Sequence, residues 1–235
     1  MNYYIILAAL TPVLILLFYI YRKDKNQPEP SKEMIKAFFY GVASVLLSLC
    51  ISIPFEKMGL YVSDYKTMVE ARRTSFFAAA IPEEVAKYVM LWLFLRKCKY
   101  FDQRMDGIVY AVCVSLGFAA LENVMYLLGS YDEWVSVGIS RALTAVPGHF
   151  GFGVLMGYYY SLGKFDSQNF ASAKYKALIV PIIVHGLYDF ICFMMGIVPS
   201  IATIIMIVFI VFCAKLWKYG SKRIKEHLER DKINQ

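Results

Sequence analysis

Seven long apolar runs alternate with short polar segments along this chain of 235 residues. A helix needs roughly 20 mainly apolar residues to cross the hydrocarbon core of a bilayer. The runs that meet this length cover residues 2–21, 34–54, 75–95, 107–128, 134–161, 177–195 and 198–217. The pattern predicts an all-α, polytopic membrane protein with about seven transmembrane helices. No segment between the runs is long enough for a soluble domain, so we expect residues 1–235 to form a single membrane domain.

The composition supports lipid as the solvent for most of the surface. The chain is 59% hydrophobic and 18% charged, with a mean hydropathy of +0.51. The formal charge of +7 alone would suit a nucleic-acid partner, but the basic residues lie in short clusters between the apolar runs. That distribution is typical of cytoplasmic membrane loops, so we expect the bilayer as partner and no nucleic acid. The 5 cysteines form no CxxC pair, which predicts neither a disulfide framework nor a zinc knuckle.

Lysine and arginine are concentrated in alternate loops. The segments 22–36, 96–106, 162–176 and the tail from residue 215 hold 5, 4, 3 and 7 of them. The opposite loops hold only 4, all within 55–74. Because basic loops stay in the cytoplasm, we expect the N-terminus outside, the C-terminus in the cytoplasm, and the protein in a bacterial plasma membrane.

Ionisable residues interrupt the third to sixth predicted helices. A charge at mid-bilayer costs at least about 2.5–3.5 kcal/mol on insertion scales, so such residues usually serve a function. The ionisable residues are Glu83, Glu84, Lys87, Glu122, Arg141, His149, His185 and Asp189, and the polar residue Asn123 follows Glu122. Consecutive helices run through the membrane in opposite directions, yet the residues on these four helices lie at similar depths. The depths fall in the outer half or near the middle of the membrane. One uninterrupted helix over 134–161 would place His149 roughly 22 Å from Trp134, and less if that helix begins later. The overlap predicts one shared site. Pro82, Pro147 and Pro181 each lie within four residues before a site residue and free a backbone carbonyl, so we also expect a water-containing cavity that opens outward.

Spacing within the helices relates several of these residues. Glu83 and Lys87 are four apart and share a helix face, as do His185 and Asp189. Two adjacent buried carboxylates are costly to keep ionised together, which favours a catalytic role for Glu83 and Glu84. We expect Asp189 to orient His185, since a carboxylate fixes the tautomer of an imidazole.

Other pairings within the set are structural alternatives. Lys87 can simply pair with Glu83. Arg141 can pair with Glu122, or extend its side chain toward the outer surface.

Absent motifs narrow the chemistry. The chain has no HExxH, GxSxG or GxGD sequence, so a zincin, a serine nucleophile and a paired-aspartate site of that type are not predicted. Carboxylates, histidines and water remain. A glutamate can act as general base toward water, and a histidine can position it or donate to the oxyanion. A metal-dependent hydrolase, with glutamates and histidines as zinc ligands, and a transporter or proton relay remain alternatives.

The motif series Glu83-Glu84-x-x-Lys87, Phe118-x-x-x-Glu122, His149 and His185-x-x-x-Asp189 resembles that of the PrsW family of bacterial intramembrane proteases. That family is similar to the wider group of CAAX prenyl endopeptidases and bacteriocin-processing proteins. The resemblance covers roughly residues 75–195, which would form the catalytic core. Related families have HxxxN at the last motif and FxxxH at the second, where this chain has Asp189 and Glu122.

The resemblance implies a site-1 protease that cuts a single-pass membrane anti-sigma factor on its extracytoplasmic side, as part of a stress response. A second, intramembrane cut would then release a sigma factor. The resemblance implies Glu83 and Glu84 as catalytic carboxylates and His185 as a further essential group. We expect Glu83 to be the base and Glu84 its partner, and His149 to position water or substrate. No cofactor and no metal are expected.

Overall fold

The computed structural model describes residues 3–25, 27–166 and 170–233, and within these ranges the chain forms helices and no strands. A π-helical turn, Ser75–Ala80, joins α3 to α4. The helices are α1 (Tyr3–Lys23), α2 (Ser31–Lys57), α3 (Met68–Thr74), α4 (Ile81–Leu95), α5 (Arg104–Gly129), α6 (Trp134–Leu143), α7 (Ala145–Phe165), α8 (Phe170–Ile197) and α9 (Ala202–Ile233).

Five helices of the described chain are long and apolar enough to cross a membrane, namely α1, α2, α5, α8 and α9. They correspond to five of the predicted spans and confirm an all-α, multi-pass membrane protein. The other two predicted spans, 75–95 and 134–161, are the segments with the most irregular helices and with many of the polar residues. The count of seven and the orientation of the termini stay predictions.

The prediction of one helix over 134–161 is wrong. Thr144 leaves the helical conformation, with φ −123° and ψ −66°, and separates α6 from α7. The physical reason is Pro147, whose ring would clash with the carbonyl of Leu143 and which has no N–H to donate. Proline is well tolerated in the first turn of a helix, so a new helix begins at Ala145. His149 therefore lies only about 6 Å into α7.

The segment before the adjacent glutamates is also irregular. Pro82 cannot donate to the carbonyl four residues earlier, and the π-helical turn Ser75–Ala80 ends two residues before it. Such turns occur often at functional sites. Phe76 on this turn packs closely on α8 at Gly186, where an added Cβ would lie 2.7 Å from Phe76 Cδ1. Because Gly186 directly follows His185, this contact places the start of α4 beside His185.

Helix α5 lies at the centre of the bundle, and nearly all its residues from Met105 to Ala120 are buried. Small residues let its neighbours approach closely, as is common between membrane helices. A Cβ at Gly41 of α2 would lie 2.9 Å from Val114 Cα, and a Cβ at Gly157 of α7 would lie 2.6 Å from Ile108 Cα. The backbone of α5 is thus held between α2 and α7.

We expect Gly157→Val to destabilise the protein by about 1–3 kcal/mol, the usual cost of overpacking, because the obstructing atoms belong to backbone. Thermal unfolding of the purified protein in detergent measures the effect. Gly196→Val is the matched control, since a Cβ at Gly196 meets nothing within 4 Å. Equal unfolding temperatures for the two variants would contradict this packing.

Candidate active site

Polar side chains from α4, α5, α6, α7 and α8 meet in one buried network around Lys87. The Lys87 Nζ atom lies 2.9 Å from Glu84 Oε1, 3.1 Å from Glu83 Oε2 and 3.0 Å from His149 Nδ1. Glu83 and Glu84 precede Lys87 by four and three residues, so one ammonium group reaches both carboxylates on the same helix. The expected pairing of Lys87 with Glu83 is present, and it extends to Glu84 and His149.

His185 lies between two carboxylates. Its Nδ1 is 2.9 Å from Glu84 Oε1, and its Nε2 is 3.3 Å from Asp189 Oδ2. A protonated imidazole donates from both nitrogens, which suits this arrangement. Phe152 stacks on the ring, with centroids 4.6 Å apart and planes 19° apart. The carboxylates and the aromatic ring together fix the orientation of His185.

His149 connects Lys87 to α5. Because the Lys87 ammonium can only donate, Nδ1 of His149 accepts from it, and Nε2–H donates to Glu122 Oε2 at 2.9 Å. The hydrogen-bond network thus assigns one neutral tautomer. Ser115 Oγ donates to the backbone oxygen of His149 at 2.6 Å, and the ring of Phe118 lies 4.1 Å from Lys87 Nζ.

Arg141 reaches the same network from α6. It donates to Glu122 Oε2 and to Asn123 Oδ1, each at 2.6 Å, and packs over the ring of Tyr126. Asn123 Nδ2 donates to the backbone oxygen of Ala9 at 3.2 Å. The expected pairing of Arg141 with Glu122 is therefore present. These bonds join α6 to α5, and α5 to α1.

The site has a closed interior and an accessible edge. The side chains of Glu84 and Lys87 are fully buried, and those of His149 and His185 are nearly so. The partly exposed side chains are Glu83 (12%), Arg141 (13%), Glu122 (17%) and Asp189 (17%). These four charged side chains are the accessible part of the network.

Phe152 and Ser115 both contact the network and were not among the residues predicted from the sequence. Phe152 follows His149 by three residues and so shares its helix face, a spacing that could have revealed it. Ser115 binds the backbone of a different helix, and no local pattern marks that contact.

Three side chains of the network are of the kinds that bind metal ions. Glu83, Glu84 and His149 each offer one ligand atom, and these atoms lie within 4.8 Å of one another. Carboxylates and imidazole are suitable zinc ligands. However, Lys87 Nζ already lies at hydrogen-bond distance, 2.9–3.1 Å, from one oxygen or nitrogen atom of each of these three residues. These residues do not fit a metal ion while Lys87 holds that position, because a second cation would have to displace the ammonium group.

The sequence is similar to known proteins over most of its length. The family model described as PrsW family intramembrane metalloprotease matches residues 29–215. The chain is 34% identical to Protease PrsW of Clostridioides difficile (strain 630) over 229 residues, which cover 96% of this chain and 92% of that protein. It is 34% identical to Protease PrsW of Bacillus subtilis (strain 168) over 226 residues, 94% of each chain.

A third relative, Protease PrsW of Geobacillus kaustophilus (strain HTA426), is 34% identical over 185 residues, 79% of this chain and 78% of that protein. No solved structure matches the chain. The family match extends over most of the sequence, and the apolar helices supply the membrane segments. This chain is therefore a multi-pass bacterial membrane protein that belongs to the PrsW family of intramembrane proteases.

Proposed function

We propose that this protein is a glutamate-dependent intramembrane endopeptidase whose substrate is a single-pass anti-sigma factor, cut on its extracytoplasmic side. The observation that carries the mechanism is the network of Glu83, Glu84, Lys87 and His185. The cut would start a regulated cascade that releases a sigma factor. The catalytic core comprises residues 75–195 of a single membrane domain.

Glu83 is the general base. It lies at the accessible edge, whereas Glu84 is fully buried. Glu83 takes a proton from water, and the resulting hydroxide attacks the carbonyl carbon of the scissile peptide bond. When the tetrahedral intermediate collapses, the C–N bond breaks and Glu83 passes the proton to the leaving nitrogen. Peptide and water are thus converted to a carboxyl and an amino terminus, with the base regenerated.

Glu84 is the partner that holds the cations in place. Its Oε1 atom accepts from both Lys87 and His185, while its buried Oε2 atom has no partner within the described chain. Buried polar atoms are usually satisfied by protein or ordered water. A water molecule at Oε2 would satisfy this atom and lie within the same network.

His185 supplies the donor for the oxyanion. Its contact with Asp189, at 3.3 Å, is longer than its contact with Glu84, and Asp189 is at the accessible edge. The Nε2–H group can therefore be shared between Asp189 and an oxyanion that develops beside it, while Nδ1 stays bound to Glu84. A positioned donor of this kind stabilises the charge that forms in the transition state.

His149 acts through Lys87 rather than on water directly. Both of its ring nitrogens are already hydrogen-bonded, to Lys87 and to Glu122. This supports a positioning role, in which His149 and Glu122 keep the Lys87 ammonium against the two catalytic carboxylates.

The double variant Glu83→Ala/Glu84→Ala should cleave at least about 100-fold more slowly than wild type, because general base catalysis contributes at least this factor. Cleavage of a single-pass substrate in reconstituted vesicles measures the rate. The matched control is Asp132→Ala/Glu133→Ala, an adjacent acidic pair that is exposed before α6, and it should cut at the wild-type rate. Wild-type cutting should also persist in chelators.

Retained cutting by the Glu83→Ala/Glu84→Ala variant would rule out the glutamate mechanism. Loss of wild-type cutting in a chelator, with recovery on adding Zn²⁺, would instead favour the metal-dependent alternative that the family description implies.

The substrate proposal is tested by co-expression with single-pass anti-sigma factors that carry tags on both sides of the membrane. Wild type should yield a shortened fragment that has lost its extracytoplasmic tag, and His185→Ala should yield none. A loss of the cytoplasmic tag alone, or no fragment from any anti-sigma factor while another membrane protein is cut, would overturn the substrate assignment.

Lys87→Met should destabilise the fold by about 3–5 kcal/mol, because it leaves buried carboxylates without their cation. The combined variant Lys87→Met/Glu84→Gln should recover part of this loss, since it also removes one of the uncompensated charges. Thermal unfolding in detergent measures both. If Lys87→Met alone is as stable as wild type, the ammonium does not hold the network together.

A further inference from the structure

A second cluster of buried carboxylates lies far from the candidate active site. Asp24 follows α1, Glu29 precedes α2, and Asp106 lies in the first turn of α5. Asp106 and Glu122 are separated by about 24 Å along α5. The cluster therefore lies toward the opposite ends of the helices, on the side predicted to face the cytoplasm.

The three carboxylates are close together and almost inaccessible. Asp24 is 3% exposed, Glu29 7% and Asp106 1%. One oxygen atom from each lies within 4.8 Å of the others. This is the spacing of groups that share a ligand, and like charges at this separation repel strongly without one.

Two buried oxygen atoms of the cluster lack a hydrogen-bond partner in the part of the chain that the structure describes. They are Asp24 Oδ2 and Asp106 Oδ1. The other oxygen of Asp106 accepts from the backbone amides of Asp102 and Gln103, at 2.9 and 2.6 Å. Asp106 is thus held rigidly by one oxygen atom while the second remains available as a ligand.

No lysine or arginine within the described ranges forms an ion pair with these three carboxylates. Lys164 donates instead to the backbone oxygen of Phe101, and Arg104 lies 3.7 Å from Asp231. The pKa of Asp24 is raised to about 7, chiefly by burial and in addition by the nearby charges of Asp106 and Asp231. Burial also raises the pKa of Glu29. The cluster is short of positive charge.

We propose that Asp24, Glu29 and Asp106 bind one hard divalent cation of the Mg²⁺ or Ca²⁺ type. A donor set made only of carboxylate oxygens is the set such cations prefer, whereas zinc sites usually include nitrogen or sulfur. The cation would join the linker between α1 and α2 to the first turn of α5. Its role is structural, since it fixes the cytoplasmic end of the central helix without contacting the proteolytic network.

The test uses the purified full-length protein in detergent, freed of metal with EDTA and then titrated with Mn²⁺, a paramagnetic probe for such oxygen sites. Electron paramagnetic resonance counts the bound ions. We expect Asp24→Asn/Glu29→Gln to weaken binding by at least roughly 10–100-fold, a loss that even outer-shell changes cause at metal sites. The matched control Asp132→Asn/Glu133→Gln removes the same charge at an exposed site and should bind as wild type does.

Two further measurements separate this site from the active site and from misfolding. Glu83→Ala/Glu84→Ala should keep the Mn²⁺ ion. Mg²⁺ or Ca²⁺ should raise the wild-type unfolding temperature by roughly 5 °C at saturation, but should not raise that of Asp24→Asn/Glu29→Gln. Without metal, that variant should be at least as stable as wild type, since it relieves charge repulsion.

Three results would overturn the proposal: no Mn²⁺ bound to wild type at millimolar concentration, binding retained by Asp24→Asn/Glu29→Gln, or binding lost only in Glu83→Ala/Glu84→Ala. The last result would assign the ion to the active site.

Discussion

The rest of the site depends on the hydrogen bonds and ion pairs of the buried Lys87 ammonium group. Moving an ion from water into a protein interior costs several kcal/mol even after relaxation, unless its hydrogen bonds are replaced. An ammonium group has three donors, and Lys87 meets three acceptors, on Glu83, Glu84 and His149. Glu84 extends the network to His185 on α8, and His149 extends it to Glu122 on α5. One buried charge thus sets the relative positions of four helices.

The breaks in the helices bring these groups within reach. The π-helical turn before Pro82 and the interruption at Thr144 both lie next to site residues. In a bilayer, carbonyl groups freed by proline need a partner from protein or water. The carbonyl freed by Pro147 is that of Leu143, whereas Ser115 donates to the backbone oxygen of His149 and so joins α5 to the start of α7. Irregular backbone and buried charge, both costly, are found together, which is typical of positions kept for function.

The sequence predicted those features that depend on local spacing. Hydropathy located the five apolar helices, and the i, i+4 rule located the contact between His185 and Asp189. It missed the break at Thr144, because an apolar run containing Pro147 is compatible with a kink as well as with two helices. The contact of Lys87 with His149 could not be predicted either, because the sequence does not specify which helices are neighbours. The same holds for Asp24, Glu29 and Asp106, which are brought together only by the tertiary fold.

The position of Lys87 also bears on how water is activated in this site. A zinc ion polarises water because it accepts a lone pair from the oxygen. An ammonium group has no vacant orbital, so at that position it can hold carboxylates but cannot acidify a bound water in this way. With Lys87 between Glu83, Glu84 and His149, the proton of the water has to go to a base. Of the two adjacent glutamates, Glu83 is the partly exposed one, and the geometry therefore favours Glu83 as the base in the proposed mechanism.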